Sequence, residues 1–176
     1  MRASSRPSTF RFDPADPTPT VGGRLLARKS GYTDDTDLAR RTDVLAFTGT
    51  PLESELTVCG VPEVELDYRS DNPHFDVFVR ISEVDERGRS HNVSDGFRRF
   101  TSMPDGPVRL ELDPIAHRFS AGSRIRVVIA GGCHPRFARN LGTGEEAVSG
   151  HRMTPSTHTV GYGDHSRLTL PVTVSL

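Results

Sequence analysis

The stretch Asp76-Val-Phe-Val-Arg-Ile81 decides the fold class of this 176-residue chain, because it places Val77, Val79 and Ile81 at every second position. Successive side chains of a β-strand point to opposite faces, so this spacing predicts a strand with one buried and one solvent-exposed face. The same spacing recurs at residues 64–68, 108–112, 125–129 and 168–170. The repeated period of two predicts antiparallel sheets.

Turn-forming residues separate these stretches. They lie at residues 85–88, 104–107 and 120–122. Residues 113–119 are predicted to form a single turn between strands, in which His117 has a structural hydrogen-bonding role. No apolar run keeps the 3.6-residue period of a helix, and residues 34–41 allow one helical turn at most. Several short strands with turns between them predict an all-β protein with a β-sandwich.

The first 40 residues differ from the rest of the chain. They are rich in Pro, Asp, Thr, Gly and Ser, and Asp13-Pro14, Asp16-Pro17 and Thr18-Pro19 each disfavour helix at the residue before proline. We therefore predict an extended lead-in over residues 1–40 and a β-sandwich over residues 41–176, in a chain of single-domain size.

One long segment after the fourth strand pattern lacks alternation. Residues 131–156 hold five glycines and no strand periodicity. A loop of this length in a compact domain is usually functional or mobile, so the segment is a candidate site.

Bulk composition excludes several classes of partner. The formal net charge of −1 gives no electrostatic footprint for nucleic acid or an anionic membrane, so neither is expected to bind. Residues 1–7 lack the apolar core of a secretory signal, and no apolar stretch is long enough to span a membrane. We expect a cytoplasmic protein. Cys59 and Cys133 are too few for a disulfide framework and are interpreted as small buried apolar residues.

The sequence offers no serine nucleophile of the α/β-hydrolase kind, because Gly-x-Ser-x-Gly does not occur. Gly131-Gly-Cys-His-Pro135 comes nearest and would make Cys133 a thiol nucleophile beside His134. Two physical objections apply. No helical pattern follows, and neighbouring side chains of an extended segment point to opposite sides. A buried structural cysteine is the preferred interpretation, and a thiol enzyme stays as a weaker alternative.

Three histidines recur at intervals of seven, namely His151, His158 and His165. A helix would place them on one face, but Pro155 and Gly161 exclude a helix there. No other pattern of metal ligands accompanies them. We therefore expect scattered histidines, no metal site and no cofactor.

Asp67, Asp71 and Asp76 cluster around Arg69-Ser-Asp-Asn-Pro73. Carboxylate and amide oxygens are calcium ligands, but the spacing lacks the EF-hand pattern, and Asp and Asn are ordinary turn formers. A turn is the preferred interpretation, and calcium binding at these three residues stays open.

A mixture of imidazole, guanidinium, phenyl and amide groups lies within the loop at residues 133–143. Its members are His134, Arg136, Phe137, Arg139 and Asn140. Such a mixture suits a buried polar interface or the rim of a ligand site, and the alternative is a surface loop anchored by one phenylalanine.

A set of short blocks, in a fixed order, covers residues 10–176. These blocks are Phe12-Asp-Pro-Ala-Asp-Pro17, Pro19-Thr-Val-Gly-Gly23, Arg41-Thr-Asp-Val-Leu-Ala-Phe-Thr48, Asp113-Pro-Ile-Ala-His-Arg-Phe119, Gly122-Ser-Arg-Ile-Arg-Val-Val-Ile129, His134-Pro-Arg-Phe137 with Asn140, and Ser166-Arg-Leu-Thr-Leu-Pro171. Together they resemble the C-terminal, non-catalytic domain of the X-Pro dipeptidyl-peptidase and cocaine-esterase-like acyl hydrolase family.

The resemblance implies a jelly roll of the galactose-binding-like type that packs on an α/β-hydrolase domain. In this family the catalytic Ser, Asp and His lie in that hydrolase domain, so the resemblance carries no catalytic residue onto this chain. It implies that the loop with His134, Arg136, Phe137, Arg139 and Asn140 faces the hydrolase core and helps to wall the substrate entrance. The hydrolase partner is expected in cis or in trans, and a fragment, a split gene and an independent protein stay open.

Two further expectations concern function. A docking face without its partner would expose apolar surface, so a homo-oligomer is possible. The alternative function is a free-standing carbohydrate-binding jelly roll. Sugar-binding faces favour Trp and Tyr, and the chain has no Trp and only Tyr32, Tyr68 and Tyr162, which argues mildly against it.

Overall fold

The structure is a computed structural model and describes residues 7–26, 30–163 and 166–173. The strands are β1 (Ser8–Phe12), β2 (Val44–Thr48), β3 (Leu56–Gly60), β4 (Glu63–Leu66), β5 (Tyr68–Ser70), β6 (Phe75–Val84), β7 (Ser90–Phe100), β8 (Val108–Glu111), β9 (Ile115–Phe119), β10 (Arg124–Ala130), β11 (Ser156–Val160) and β12 (Arg167–Thr169). A 3-10 turn at Leu38–Arg40 lies within residues 34–41, for which one helical turn at most was predicted.

One layer of the fold is a four-stranded sheet with the order β2-β10-β6-β7. Every pair in it is antiparallel, and the ten-residue strand β6 lies inside the sheet, between β10 and β7. The predicted turn at residues 85–88 joins β6 to β7, and the one at residues 120–122 joins β9 to β10. The expected antiparallel architecture is confirmed.

The opposite layer consists of three smaller sheets, with the orders β1-β11-β5, β12-β4-β8 and β3-β9. Backbone hydrogen bonds join them: the Gly161 amide donates to the Asp67 carbonyl at 2.8 Å, and the Cys59 amide donates to the Pro171 carbonyl at 3.0 Å. Asp67 separates β4 from β5, so the pattern at residues 64–68 predicted one strand where two lie in different sheets. The two layers form the predicted jelly-roll β-sandwich.

The main core fills the space between the layers. Val77, Val79 and Ile81 of β6 have no exposed surface and face buried side chains such as Val58 and Tyr68 of the opposite layer. The period-two prediction therefore located the inner face of β6 correctly.

The outer face of β6 was predicted wrongly. Asp76 and Arg80 were expected in solvent, yet they are 1% and 0% exposed, and Phe78 between them is equally buried. This face is covered by the loop that follows β10 and by residues 13–26 and 30–43, which we call the strap. Leu38 of the strap packs in a second apolar cluster with Phe78.

Two smaller expectations are also corrected. Residues 113–119 do not form a single turn, because Ile115–Phe119 is strand β9, paired antiparallel with β3. The hydrogen-bonding role of His117 is confirmed, since its Nε2 lies 2.9 Å from Glu83 Oε2. Cys59 is exposed rather than buried, because it occupies an outward position of β3 opposite Ala116.

The N-terminal part of the described chain includes one strand. Ser8–Phe12 pairs antiparallel with β11 over five positions, and Phe10 and Phe12 enter the main core. The division between residues 1–40 and 41–176 stays a prediction. No helix within the described ranges has the length and apolar character that crossing a membrane requires.

Candidate functional site

The loop after β10 and the strap lie together over the outer face of the four-stranded sheet. The His134 amide donates to the Thr18 carbonyl at 2.9 Å, and the Thr20 amide donates back to the His134 carbonyl at 2.7 Å. The hydroxyl of Thr20 also accepts a hydrogen bond from the Arg136 amide at 3.1 Å. The strap and the start of the loop are therefore one hydrogen-bonded unit.

A buried ion-pair network lies beneath this unit. The guanidinium of Arg80 donates to the Val21 carbonyl at 2.6 Å and to Asp95 Oδ2 at 3.1 Å, and lies 3.6 Å from Asp35 Oδ2. Ser82 Oγ donates to the same Asp35 oxygen at 2.7 Å. Charges at this depth are tolerated only when they are paired and hydrogen-bonded, so the network fixes the strap to β6 and β7.

Arg136 extends this network outward. Its Nη1 donates to Asp95 Oδ1, and its Nη2 donates to Asp113 Oδ2 at 3.4 Å, while Arg24 Nη1 donates to Asp113 Oδ1 at 2.7 Å. The Arg136 side chain is only 12% exposed. Arg136, one of the residues predicted to line a rim, is therefore held mainly by contacts within the domain.

A glycine allows the backbone of the strap to lie close to the ion pair of Asp95 and Arg136. Gly23 has a φ of +78°, and a Cβ there would lie 2.8 Å from Asp95 Oδ2 and 3.1 Å from Arg136 Nη1. Any larger residue would both strain the backbone and press on the ion pair. The glycine at position 23 of the strap therefore follows from the network that it covers.

Phe137 stacks on a residue of β7 that sequence reasoning missed. Its ring centroid lies 3.9 Å from that of Phe97, with an interplanar angle of 7°. The guanidinium of Arg136 lies 5.0 Å from the Phe137 ring centroid, and that of Arg99 lies 5.9 Å from the Phe97 ring centroid. Both rings are half-buried.

Asn140 belongs to a second ion-pair cluster. Its Nδ2 donates to Asp76 Oδ1 at 2.9 Å, and Arg99 donates to both oxygens of Asp76 at 2.8 Å each. Arg99 also donates to the Ala138 carbonyl. The buried carboxylate of Asp76 therefore ties β6, β7 and the loop together.

Arg139 and His134 complete the predicted set. Arg139 Nη1 donates to the Pro14 carbonyl of the strap at 3.2 Å, and the side chain is half-exposed. His134 is held by its backbone, and its Nδ1 is buried without a hydrogen-bond partner among the described residues. The structure thus brings all five predicted residues to one side of the sheet.

Cys133 has the environment of a structural cysteine. Its side chain is buried, its Sγ donates to Thr20 Oγ1 at 3.4 Å, and burial raises the pKa of the thiol. A nucleophilic cysteine needs a lowered pKa and access to substrate. The geometry therefore argues against the thiol-enzyme alternative.

The three histidines at intervals of seven have different surroundings. His151 is exposed, whereas His158 is fully buried, with Nδ1 2.7 Å from the Tyr68 hydroxyl and Nε2 2.7 Å from Ser156 Oγ. Burial lowers the pKa of His158 to about 4. His165 lies outside the described residues. His151 and His158 form no common site.

The carboxylates considered for calcium have separate roles. Asp76 is paired with Arg99, and Asp71 Oδ1 accepts a hydrogen bond from the Thr157 amide at 2.8 Å. Within the described ranges, no group of three or more His, Cys, Asp or Glu side chains is placed to hold a metal ion. This contact holds Asp71 to β11, and the turn interpretation stays a prediction for this residue.

The tyrosines do not assemble an aromatic platform in the part of the chain that the structure describes. Tyr68 is buried beside His158, and Tyr162 packs edge-on against Phe47. Tyr32 is 62% exposed and stacks on His91. A sugar-binding face built from several tyrosines is therefore not present in these residues.

A protein-family comparison matches residues 3–169 to the X-Pro dipeptidyl-peptidase C-terminal non-catalytic domain. The cocaine esterase of Rhodococcus sp. (strain MB1 Bresler) is 28% identical over 150 residues, covering 77% of this chain and 26% of that protein. The chain thus spans about a quarter of the length of this relative.

Two solved structures share the fold. An aminopeptidase from the marine sediment archaeon Thaumarchaeota archaeon superposes with a TM-score of 0.83 at 22% identity, covering 98% of this chain and 34% of that one. An alpha-amino acid ester hydrolase superposes with a TM-score of 0.80 at 22% identity, covering 95% of this chain and 32% of that one. At this identity the likeness shows the β-sandwich alone.

Proposed function

Because the chain belongs to the family of X-Pro dipeptidyl-peptidase C-terminal non-catalytic domains, we propose that it is the accessory β-sandwich of a serine hydrolase. In this proposal it packs on an α/β-hydrolase catalytic domain, which supplies the Ser, Asp and His of the reaction. The substrates of that hydrolase would be X-Pro peptides or acyl and amino-acid esters. The loop after β10 would help to wall the substrate entrance.

The attachment of this loop is the observation that carries the proposal. Arg136 and Asn140 connect the loop to buried carboxylates, and the Thr20 hydroxyl holds the backbone of Arg136. A loop that shapes the entrance of a neighbouring domain must keep its position without that domain's help. These contacts supply such preorganisation, which reduces the entropy lost on docking.

The partner is proposed to lie in cis. The relatives with this sandwich are about three to four times longer than the matched region, which leaves room for a hydrolase domain in the same polypeptide. Association in trans remains the second arrangement, and in that case the free docking face would promote self-association.

A cytoplasmic location is part of the proposal. Both Cys59 and Cys133 are free thiols, as is usual for proteins of reducing compartments.

The test is an activity assay with and without a partner. We expect the purified chain to hydrolyse neither a p-nitrophenyl ester nor an X-Pro-p-nitroanilide. The chain should bind the hydrolase region of the Rhodococcus cocaine esterase, prepared without the quarter that this chain matches. Turnover by the chain alone that survives repurification and disappears in Cys133→Ala would replace this proposal with a small cysteine hydrolase.

A further inference from the structure

We infer that the chain docks through an arginine–aromatic surface, and that the hydrolase face it meets carries an apolar side chain flanked by carboxylates. The surface consists of Phe97 and Arg99 on β7 with Phe137 and Arg139 on the loop. This inference rests on the proposed docking role and adds to it the two β7 residues and the chemistry of the partner.

The stacked rings form the apolar centre of this surface. Phe97 and Phe137 lie face to face at 3.9 Å, and both keep part of their surface in solvent. The stack joins a strand to a loop, so each ring fixes the other in a single position. Aromatic side chains, phenylalanine included, are enriched in the buried cores of protein interfaces.

Around the rings, the carboxylate of Asp76 is buried, whereas the guanidinium groups of Arg99 and Arg139 lie on the solvent side. Asp76, the partner of Arg99, is 1% exposed, whereas the Arg99 side chain keeps 38% of its surface in solvent. Arg139 donates to a backbone carbonyl and, among the described residues, makes no ion pair with a carboxylate. The solvent side of the surface is therefore positive, although the chain as a whole carries a net charge of −1.

The groove on the other side of Phe97 contains charges of both signs and adds no excess of either. This groove has a volume of about 760 Å³, and its glutamates are balanced by arginines, namely Glu63, Glu65 and Glu111 with Arg98, Arg109 and Arg167. A partner must therefore place its carboxylates over Arg99 and Arg139 and its apolar side chain against the rings. Such a charge pattern fixes the register of docking and speeds association.

The experiment uses the complete chain and the hydrolase region of the Rhodococcus cocaine esterase, with binding measured by calorimetry at low and high salt. Arg139→Glu and Phe137→Leu test the charge and the ring. Arg118→Glu on β9 is the matched control, because the Arg118 side chain is 68% exposed and lies in the opposite layer. Thermal unfolding of each variant verifies that it is folded.

We expect Arg139→Glu and Phe137→Leu to weaken binding at least tenfold, Arg118→Glu to change it less than twofold, and high salt to weaken binding by the unaltered chain. Absence of binding by the unaltered chain would contradict the proposed docking role itself. A binding affinity that changes neither with salt nor with either surface substitution would overturn this inference and leave the docking role in place.

Discussion

Strand β6 is buried on both faces, but by different means. Its inner face places Val77, Val79 and Ile81 against the apolar side chains of the opposite layer. Its outer face places Asp76 and Arg80 beneath the strap and the loop after β10. The inner face needs only apolar partners of suitable volume, whereas the outer face needs particular charged partners at particular distances.

This difference separates a tolerant face from an intolerant one within one strand. Burial of apolar side chains is non-directional and tolerates changes of shape at modest cost. A buried guanidinium is intolerant of such changes, because removing either member of the pair leaves an uncompensated charge. The outer face therefore specifies where the strap and loop lie, and through them the proposed docking surface.

Arg80→Met gives the strongest test of this contrast. The substitution leaves Asp35 buried without a guanidinium and Asp95 with that of Arg136 alone, and we expect the free energy of unfolding in urea to fall by about 3–5 kcal/mol. Adding Asp35→Asn removes the unpaired charge and should restore roughly 1 kcal/mol or more. A single variant as stable as the unaltered chain would mean that the outer face is not held by this network.

The inner side of the sandwich contains one imidazole whose burial makes stability depend on pH. His158 has a pKa of about 4 in the folded chain, against the ordinary 6.5 in the unfolded chain. Between pH 4 and pH 6.5 only the unfolded chain binds the proton. The contribution of His158 to the free energy of unfolding is therefore fully present above pH 6.5 and decreases as the pH falls towards 4. The total loss should reach about 3 kcal/mol.

The measurement compares the free energy of unfolding at pH 7 and pH 4.5 for the unaltered chain and His158→Gln. Other groups titrate equally in both proteins, so the difference in pH dependence reports His158. Equal pH dependence of the two proteins would show that the imidazole does not resist protonation.

Gly23→Ala tests the fit of the strap on the outer face. The added Cβ would meet Asp95 Oδ2 at 2.8 Å, and the φ of +78° is strained for alanine. We expect a loss of about 2 kcal/mol. Gly88→Ala is the matched control, because Gly88 has a φ of +82° and no heavy atom within 4 Å of the position that the added methyl group would take, so it should lose only about 1 kcal/mol. Equal losses at the two glycines would show that the strap accommodates the methyl group.

The same contrast explains what the sequence could predict. The inner face was predictable because Val77, Val79 and Ile81 occupy every second position of the sequence. The burial of Arg80 was not, because it depends on Asp35 and Asp95, which no local pattern connects to it. The loop residues Arg136 and Phe137 were identified, whereas Phe97 and Arg99 lie in a stretch of β7 where the pairing of rings and guanidinium groups arises only after folding.

Ile81→Val measures the tolerance of the inner face and has the smallest expected effect. The substitution removes one methylene from a side chain with no exposed surface, and its neighbours are apolar, so no charge is left unpaired. We expect a loss of about 0.5–1.5 kcal/mol in urea unfolding, with binding to the hydrolase region unchanged. A loss as large as that of Arg80→Met would show that the two faces of β6 are equally demanding, and the contrast between them would not hold.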